Sequence, residues 1–176
     1  IATGWTEQRA VWGKGETAVL QQLKLIEESL PFPILGFDCD NGSEFLNHHL
    51  VRYFSGHPDQ PSFTRSRPYR KNDNAHVEQK NWSQVRHLFG YDRFDNPKLV
   101  DLMNDLYANE WSQLQNHFCP TLKLKEKSRE GSRYVKRYHP PETPYQRVMD
   151  SGLAPETIKR RLEDQHGGLN PFDLKR

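Results

Sequence analysis

The succession of residues 19 to 42 limits the possible folds most. Val19, Leu23, Ile26 and Leu30 recur at helical spacing and the pattern stops at Pro31 and Pro33. A short apolar run, Ile34-Leu35-Gly36-Phe37, then leads into Asp38-Cys39-Asp40-Asn41-Gly42. An apolar stripe at i, i+4, i+7 and i+11 predicts an amphipathic helix, and proline disfavours the helical conformation in the residue before it. A short apolar run with proline on one side and Asn-Gly on the other suits a buried parallel strand. Helix, buried strand and acidic strand end together point to an α/β layer fold.

The alternation continues along the chain. Trp5 to Trp12, ended by Gly13-Lys14-Gly15, reads as a strand with Trp5, Val11 and Trp12 as its larger apolar positions. A second helix is expected from about Ser43 to Phe54, with Leu46, Leu50, Tyr53 and Phe54 on one face, then a short strand at Ser62-Phe63-Thr64. Further helices are expected over Asn74 to Phe89, lined by Val77, Asn81, Val85 and Leu88, and over Pro97 to Phe118, carrying Leu99, Met103, Leu106 and Leu114. Residues 123–137 read as an extended connector, and Pro140 to Pro144 break regularity. Pro155 opens a short helix to Gln165 with Ile158 and Leu162 as its apolar face, and 167–171 read as a linker.

With 176 residues, the chain has room for one domain and an appendage, expected as 1–119 and 120–176. Mean hydropathy is −0.95, and no apolar run approaches the ~20 residues of a membrane-spanning helix. The N-terminus lacks the basic start and apolar stretch of a secretory signal, so the expected location is cytoplasmic, without a membrane partner. Cys39 and Cys119, the two cysteines, have no close-spaced companions and read as free thiols.

A net charge of +2 hides a segregated distribution. Arg65-Ser66-Arg67-Pro68-Tyr69-Arg70-Lys71 carries +4. Residues 121–137 carry +5, with Lys123, Lys125, Lys127, Arg129, Arg133, Lys136 and Arg137 set against Glu126 and Glu130, which leaves −7 on the rest. Two basic strips on an acidic body suit a polyanion partner.

Candidate chemistry gathers at Asp40. In an open α/β sheet, ligands collect at the carboxyl ends of strands, and Asp40 follows the apolar run just before a glycine turn and a helix. Gly42 permits the turn and Ser43 can cap the helix; on the same residues Asp40 can equally be a turn and capping group. Asp38 would point to the opposite side of the strand, and Glu44 would lie in the first helical turn, where a carboxylate favours the helix dipole.

The string Asp40-Asn41-Gly42-Ser43-Glu44-Phe45 is similar to the motif around the second catalytic aspartate of DDE-type transposases and retroviral-type integrases. Asn72-Asp73-Asn74-Ala75-His76-Val77-Glu78-Gln79-Lys80-Asn81 resembles the helix start that carries their catalytic glutamate, 38 positions after Asp40. Residues 63–73 and Thr143-Pro144-Tyr145-Gln146-Arg147 resemble bacterial insertion-sequence members. The resemblance implies an α/β, ribonuclease H-like mixed sheet flanked by helices, with the first strand and most of the second absent and a C-terminal extension. It implies a partial integrase-like core at 1–119 and a basic extension or linker at 120–176. Asp40 and Glu78 would be catalytic and hold Mg²⁺ (or Mn²⁺). Arg65, Arg67, Arg70, Lys71, Lys80, Arg86, Lys123, Lys125 and Lys127 would meet DNA.

The family's first catalytic aspartate has no counterpart before Asp40, since Asp38 is too close and Glu7 is the only acid on the opening segment. Trp5 to Trp12 resembles the family's third strand, so the chain reads as a fragment of a longer protein. The expected activity of that parent is DNA transposition by metal-dependent strand cleavage and transfer, with transposon ends and target DNA as partners, a homo-oligomer on DNA, and nucleoid association when acting. The fragment is expected to be inactive. Two other readings fit the residues: a non-catalytic integrase-like DNA-binding or assembly module, and a ribonuclease H-like nuclease.

Overall fold

In the computed structural model, residues 2–39, 48–65, 75–152 and 154–176 are described; for His48, His49, Arg65, Ala75, His76 and Val77 only the backbone is described. Helix α1 spans Glu16–Ser29 and stops before the prolines, with Leu30 already extended at φ −67° and ψ 140°. The apolar run becomes strand β1 two residues later than its hydrophobicity suggests, at Gly36–Cys39. Helix α2 (His48–Ser55) leads to strand β2 (Ser62–Arg65). Helix α3 (Ala75–Lys80) continues through a π-helical segment, Asn81–Arg86, into α4 (His87–Phe89). A second long helix is built the same way, from α5 (Leu99–Leu106), the π-helical Tyr107–Trp111 and α6 (Ser112–Phe118).

The remainder is strand β3 (Leu124–Glu130), strand β4 (Arg133–Tyr138), helices α7 (Pro144–Asp150) and α8 (Glu156–Gly168), and a 3₁₀ turn at Asp173–Lys175. The class is mixed α/β with small sheets. Two compact units result, Arg9–Met103 and Ile1–Gln8 with Asn104–Arg176.

In the unit of residues 9–103, β1 and β2 are parallel, pairing Gly36 with Ser62 and Cys39 with Arg65. A Cβ at Gly36 would come within 2.9 Å of Ser62 Oγ, so glycine permits this close approach. Phe37 turns inward and stacks on Phe54 and Phe63, with centroids 4.6 and 5.6 Å away. Leu50 and Phe54 of α2 are almost fully buried, each contributing about 1.5–3 kcal/mol of hydrophobic stabilisation. Val19, Leu23, Ile26 and Leu30 form the half-buried stripe of α1. Glu27 joins α1 to α2, accepting from the Tyr53 hydroxyl and lying 2.6 Å from His57 Nε2.

Three expectations need correction. Among the described residues, Trp5 to Trp12 is not assigned to a strand. The Thr6 N–H donates to Asn116 Oδ1 and the Asn116 amide donates back to Thr6 O, both at 2.9 Å, so one buried asparagine ties this segment to α6. Asn81 does not share the inward side with Val85 and Leu88. It is exposed, and Gln84 is buried in its place, because the π-helical winding shifts the helical phase.

The third correction concerns residues 123–137, which fold back on themselves as an antiparallel hairpin rather than running as a connector. Its loop is Gly131-Ser132, with Gly131 at φ 64°, the pattern of a type II′ turn. Beyond it, the Thr143 and Gln146 capping box with Pro144 at the first position starts α7 where irregular chain was expected. Tyr107, Leu114, Val148 and Leu162 are the buried apolar residues of this second unit.

Candidate functional site

The parallel pairing of β1 and β2 gives their carboxyl ends a common edge. Cys39, the residue before Asp40, sits opposite Arg65, the first residue of the basic segment. Neighbouring strands lie about 4.8 Å apart, so the chain leaves both strands within a few ångströms. Asp38 is exposed and accepts a hydrogen bond from Thr64 Oγ1 at 2.8 Å, a cross-strand contact on the face opposite Phe37 and Cys39. Cys39 is buried; it and Cys119 are free thiols. Asp40 itself, with Gly42, Ser43, Glu44, Arg67, Arg70 and Lys71, lies outside the described residues, and of Arg65 only the backbone is described.

Glu78 lies in the first turn of α3 with an exposed side chain, accessible as a metal ligand must be. Lys80, two residues on, is half-buried, and desolvation lowers the pKa of its ammonium from the ordinary value. Arg86 ends the π-helical segment with its guanidinium 5.0 Å from the Tyr91 ring centroid, a cation–π contact that occupies one face of the arginine. Among the described residues no group of three or more His, Cys, Asp or Glu side chains gathers. Of the two carboxylates expected to hold metal, only Glu78 lies among the described residues, and one carboxylate does not complete an Mg²⁺ site.

Lys123, Lys125 and Lys127 belong to the other unit. All three are exposed; Lys123 Nζ donates to Ala2 O at 2.9 Å, and Lys127 Nζ lies 4.4 Å from the Tyr134 ring centroid. Glu7 has its carboxylate engaged by Trp5 Nε1 at 2.9 Å and by the Ser112 hydroxyl.

Arg129 and Lys136, counted in the basic strip 121–137 but not among the expected DNA contacts, share one hairpin face with Lys127. Strand alternation would have revealed that face had the turn at Gly131 been recognised. A cleft of about 310 Å³ in the same unit is lined by Thr3, Lys123, His139, Glu142, Arg147 and Asp150, among others. Arg147 is committed there to Thr121, Thr3 and Glu142.

Over 147 residues the chain is 43% identical to an uncharacterized protein, y4rM, of Sinorhizobium fredii (strain NBRC 101917 / NGR234). The match covers 84% of this chain but only 41% of that protein, so the chain spans about two fifths of its relative's length. No protein-family model matches the chain, and no solved structure matches it. No helix among the described residues is long and apolar enough to cross a membrane.

Proposed function

We propose that the chain is part of the ribonuclease H-like catalytic core of a DDE-type transposase or retroviral-type integrase. Its parent protein performs DNA transposition by phosphoryl transfer, with transposon ends and target DNA as substrates and a homo-oligomer assembled on them in the cytoplasm. Asp40 and Glu78 are the second and third carboxylates of the triad. Together they would hold Mg²⁺ or Mn²⁺, which supplies activation of the attacking oxygen and stabilisation of the leaving one.

The observation that carries this reading is the β1–β2 register. It sets the residue before Asp40 opposite Arg65, so the acidic motif and the basic segment begin at one sheet edge. Ligands of α/β sheets gather at such an edge. The exposed carboxylate of Glu78, 38 positions further on at the start of a helix, supports the same assignment. Arg65, Arg67, Arg70 and Lys71 would hold backbone phosphates beside the metals, contacts that position a duplex without reading its sequence.

The experiment is a cleavage assay with the longer protein that contains this chain, on end-labelled transposon-end duplex with Mg²⁺ and with Mn²⁺. Cleavage is expected, and its loss in Asp40→Asn and in Glu78→Gln. Cleavage that survives both substitutions overturns the assignment. Duplex binding without cleavage under either metal favours a non-catalytic integrase-like module instead.

A further inference from the structure

Alternation along β3 and β4 divides the hairpin's side chains into two unlike faces. Directly opposed residues of an antiparallel pair share a face. The register opposes Lys127 to Lys136 and Arg129 to Tyr134, and alternation along β4 adds Tyr138, which gathers three cations and two phenols on one side; a register shift between Leu124 and Glu126 interrupts the alternation before Glu126. The pairs Glu126 with Arg137, Ser128 with Val135 and Glu130 with Arg133 occupy the other. Both carboxylates of the hairpin therefore lie on the second face, where Glu126 Oε2 is 3.7 Å from Arg137 Nη1. The first face holds no acid. It is also the face in solvent: every residue on it is exposed, whereas the half-buried pair, Ser128 and Val135, lies on the other.

A surface of this kind is costly unless something meets it. Lys127 and Lys136 are like charges in direct cross-strand opposition, an arrangement that weakens a hairpin. Tyr134 relieves it in part, with Lys127 Nζ 4.4 Å and the Arg129 guanidinium 6.0 Å from its ring centroid. Tyr134 and Tyr138 are 59% and 46% exposed, so their hydroxyls are available as donors. A polyanion offering several acceptors along a line would complement such a face. A two-stranded ribbon also has the width that the major groove of duplex DNA, about 12 Å across, admits.

We infer that this face of the β3–β4 hairpin docks on duplex DNA, with Lys127, Arg129 and Lys136 on backbone phosphates and Tyr134 and Tyr138 as accessory donors. The contacts are to phosphate, so the face binds without sequence preference. It operates without metal and independently of Asp40 and Glu78, and so holds equally for a recombinase and for a non-catalytic module.

The test is fluorescence anisotropy of the full chain with a labelled duplex of arbitrary sequence, in EDTA, over a range of salt concentrations. Each lost phosphate contact flattens the log–log salt dependence by about 0.9. Arg129→Ala combined with Lys136→Ala is expected to weaken binding and flatten the slope by roughly 1.8. Arg133→Ala combined with Arg137→Ala removes the same charge from the opposite face and is expected to leave the slope unchanged. Arg129→Lys combined with Lys136→Arg keeps the charge and is expected to retain binding, which separates loss of contact from loss of fold. Equal loss from both faces, or no loss from either, overturns the proposal. So does a loss confined to vesicles of phosphatidylserine and phosphatidylcholine with duplex binding untouched.

Discussion

His117 and His166 face each other nitrogen to nitrogen, their Nδ1 atoms 3.3 Å apart and their ring planes within 17° of parallel. Such a pair requires one donor and one acceptor, so at most one ring can be charged while the contact persists. Tyr145 stacks on both rings, at 5.1 Å from His117 and 4.3 Å from His166, and Trp5 meets the edge of His117. Burial and then the neighbouring His166 lower the His117 pKa from 6.5 to about 4. Its Nε2 is buried with no hydrogen-bond partner among the described residues, so protonation would add an unmet donor.

The pH dependence follows from that depressed value. Between pH 6.5 and about 4 the unfolded chain takes up a proton that the folded chain refuses. This contribution to stability is complete above pH 6.5 and is lost as pH falls through that window, to a total of roughly 3 kcal/mol. Urea midpoints should fall between about pH 7 and pH 4.5, and fall less in His117→Phe. Identical pH profiles for the two proteins would remove His117 as the origin.

Asn116 carries a second, pH-independent share. It is 1% exposed and makes both bonds to the Thr6 backbone. Asn116→Leu keeps most of the volume and removes both bonds, at about 1 kcal/mol each. A loss of about 2 kcal/mol in denaturant unfolding is expected. Asn116→Gln, whose longer side chain misplaces the amide, should recover little of it. A neutral Asn116→Leu would mean that the Thr6 segment finds other partners at no cost.

What could be read from the sequence depended on whether its signal was local. The stripe Val19, Leu23, Ile26, Leu30 ended by Pro31 states its helix completely, and the run at 34–37 announces β1 to within two residues. The hairpin is different, because Leu124 to Glu130 alternates among polar residues and offers no apolar period of two, leaving Gly131 as its only cue. Helix α7 was legible in Thr143-Pro144 and Gln146, but the surrounding prolines masked it. The Asn116 side chain that holds the Thr6 backbone lies 110 residues away, beyond any local pattern. At the candidate site, motif spacing points to Asp40 and Glu78, of which Asp40 lies outside the described residues, while the asymmetry of the hairpin faces needed the register that only the fold supplies.

Glu27 gives a spectroscopic handle on the other unit. Burial, with the Glu27 hydrogen bond and charge behind it, raises the Tyr53 pKa from 10.0 to about 12. Alkaline titration followed by tyrosinate absorbance should show a late phase to which Tyr53 contributes, beside Tyr107 and Tyr145, whose phenol pKa values burial also raises. In Glu27→Gln the Tyr53 phenol should ionise closer to its ordinary range, since the substitution removes the charge and leaves burial. An unchanged late phase would assign it to the other tyrosines.

Residues 1–176 on their own should leave DNA uncut. Two-metal catalysis needs ions about 4 Å apart, each placed well enough to meet an attacking or a leaving oxygen. Mg²⁺ demands near-ideal octahedral geometry, and the carboxylates around it set where it sits. Asp40 and Glu78 are two of the three that the motif resemblance requires, and Glu7, the other acid considered, is held by Trp5 and Ser112. Two carboxylates can hold a cation loosely without fixing two of them at catalytic separation. A supercoiled plasmid incubated with the chain and Mg²⁺ or Mn²⁺ is therefore expected to stay intact, with duplex binding unaffected. Nicking that disappears in Glu78→Gln would show that two carboxylates suffice, and the requirement for a third would fall.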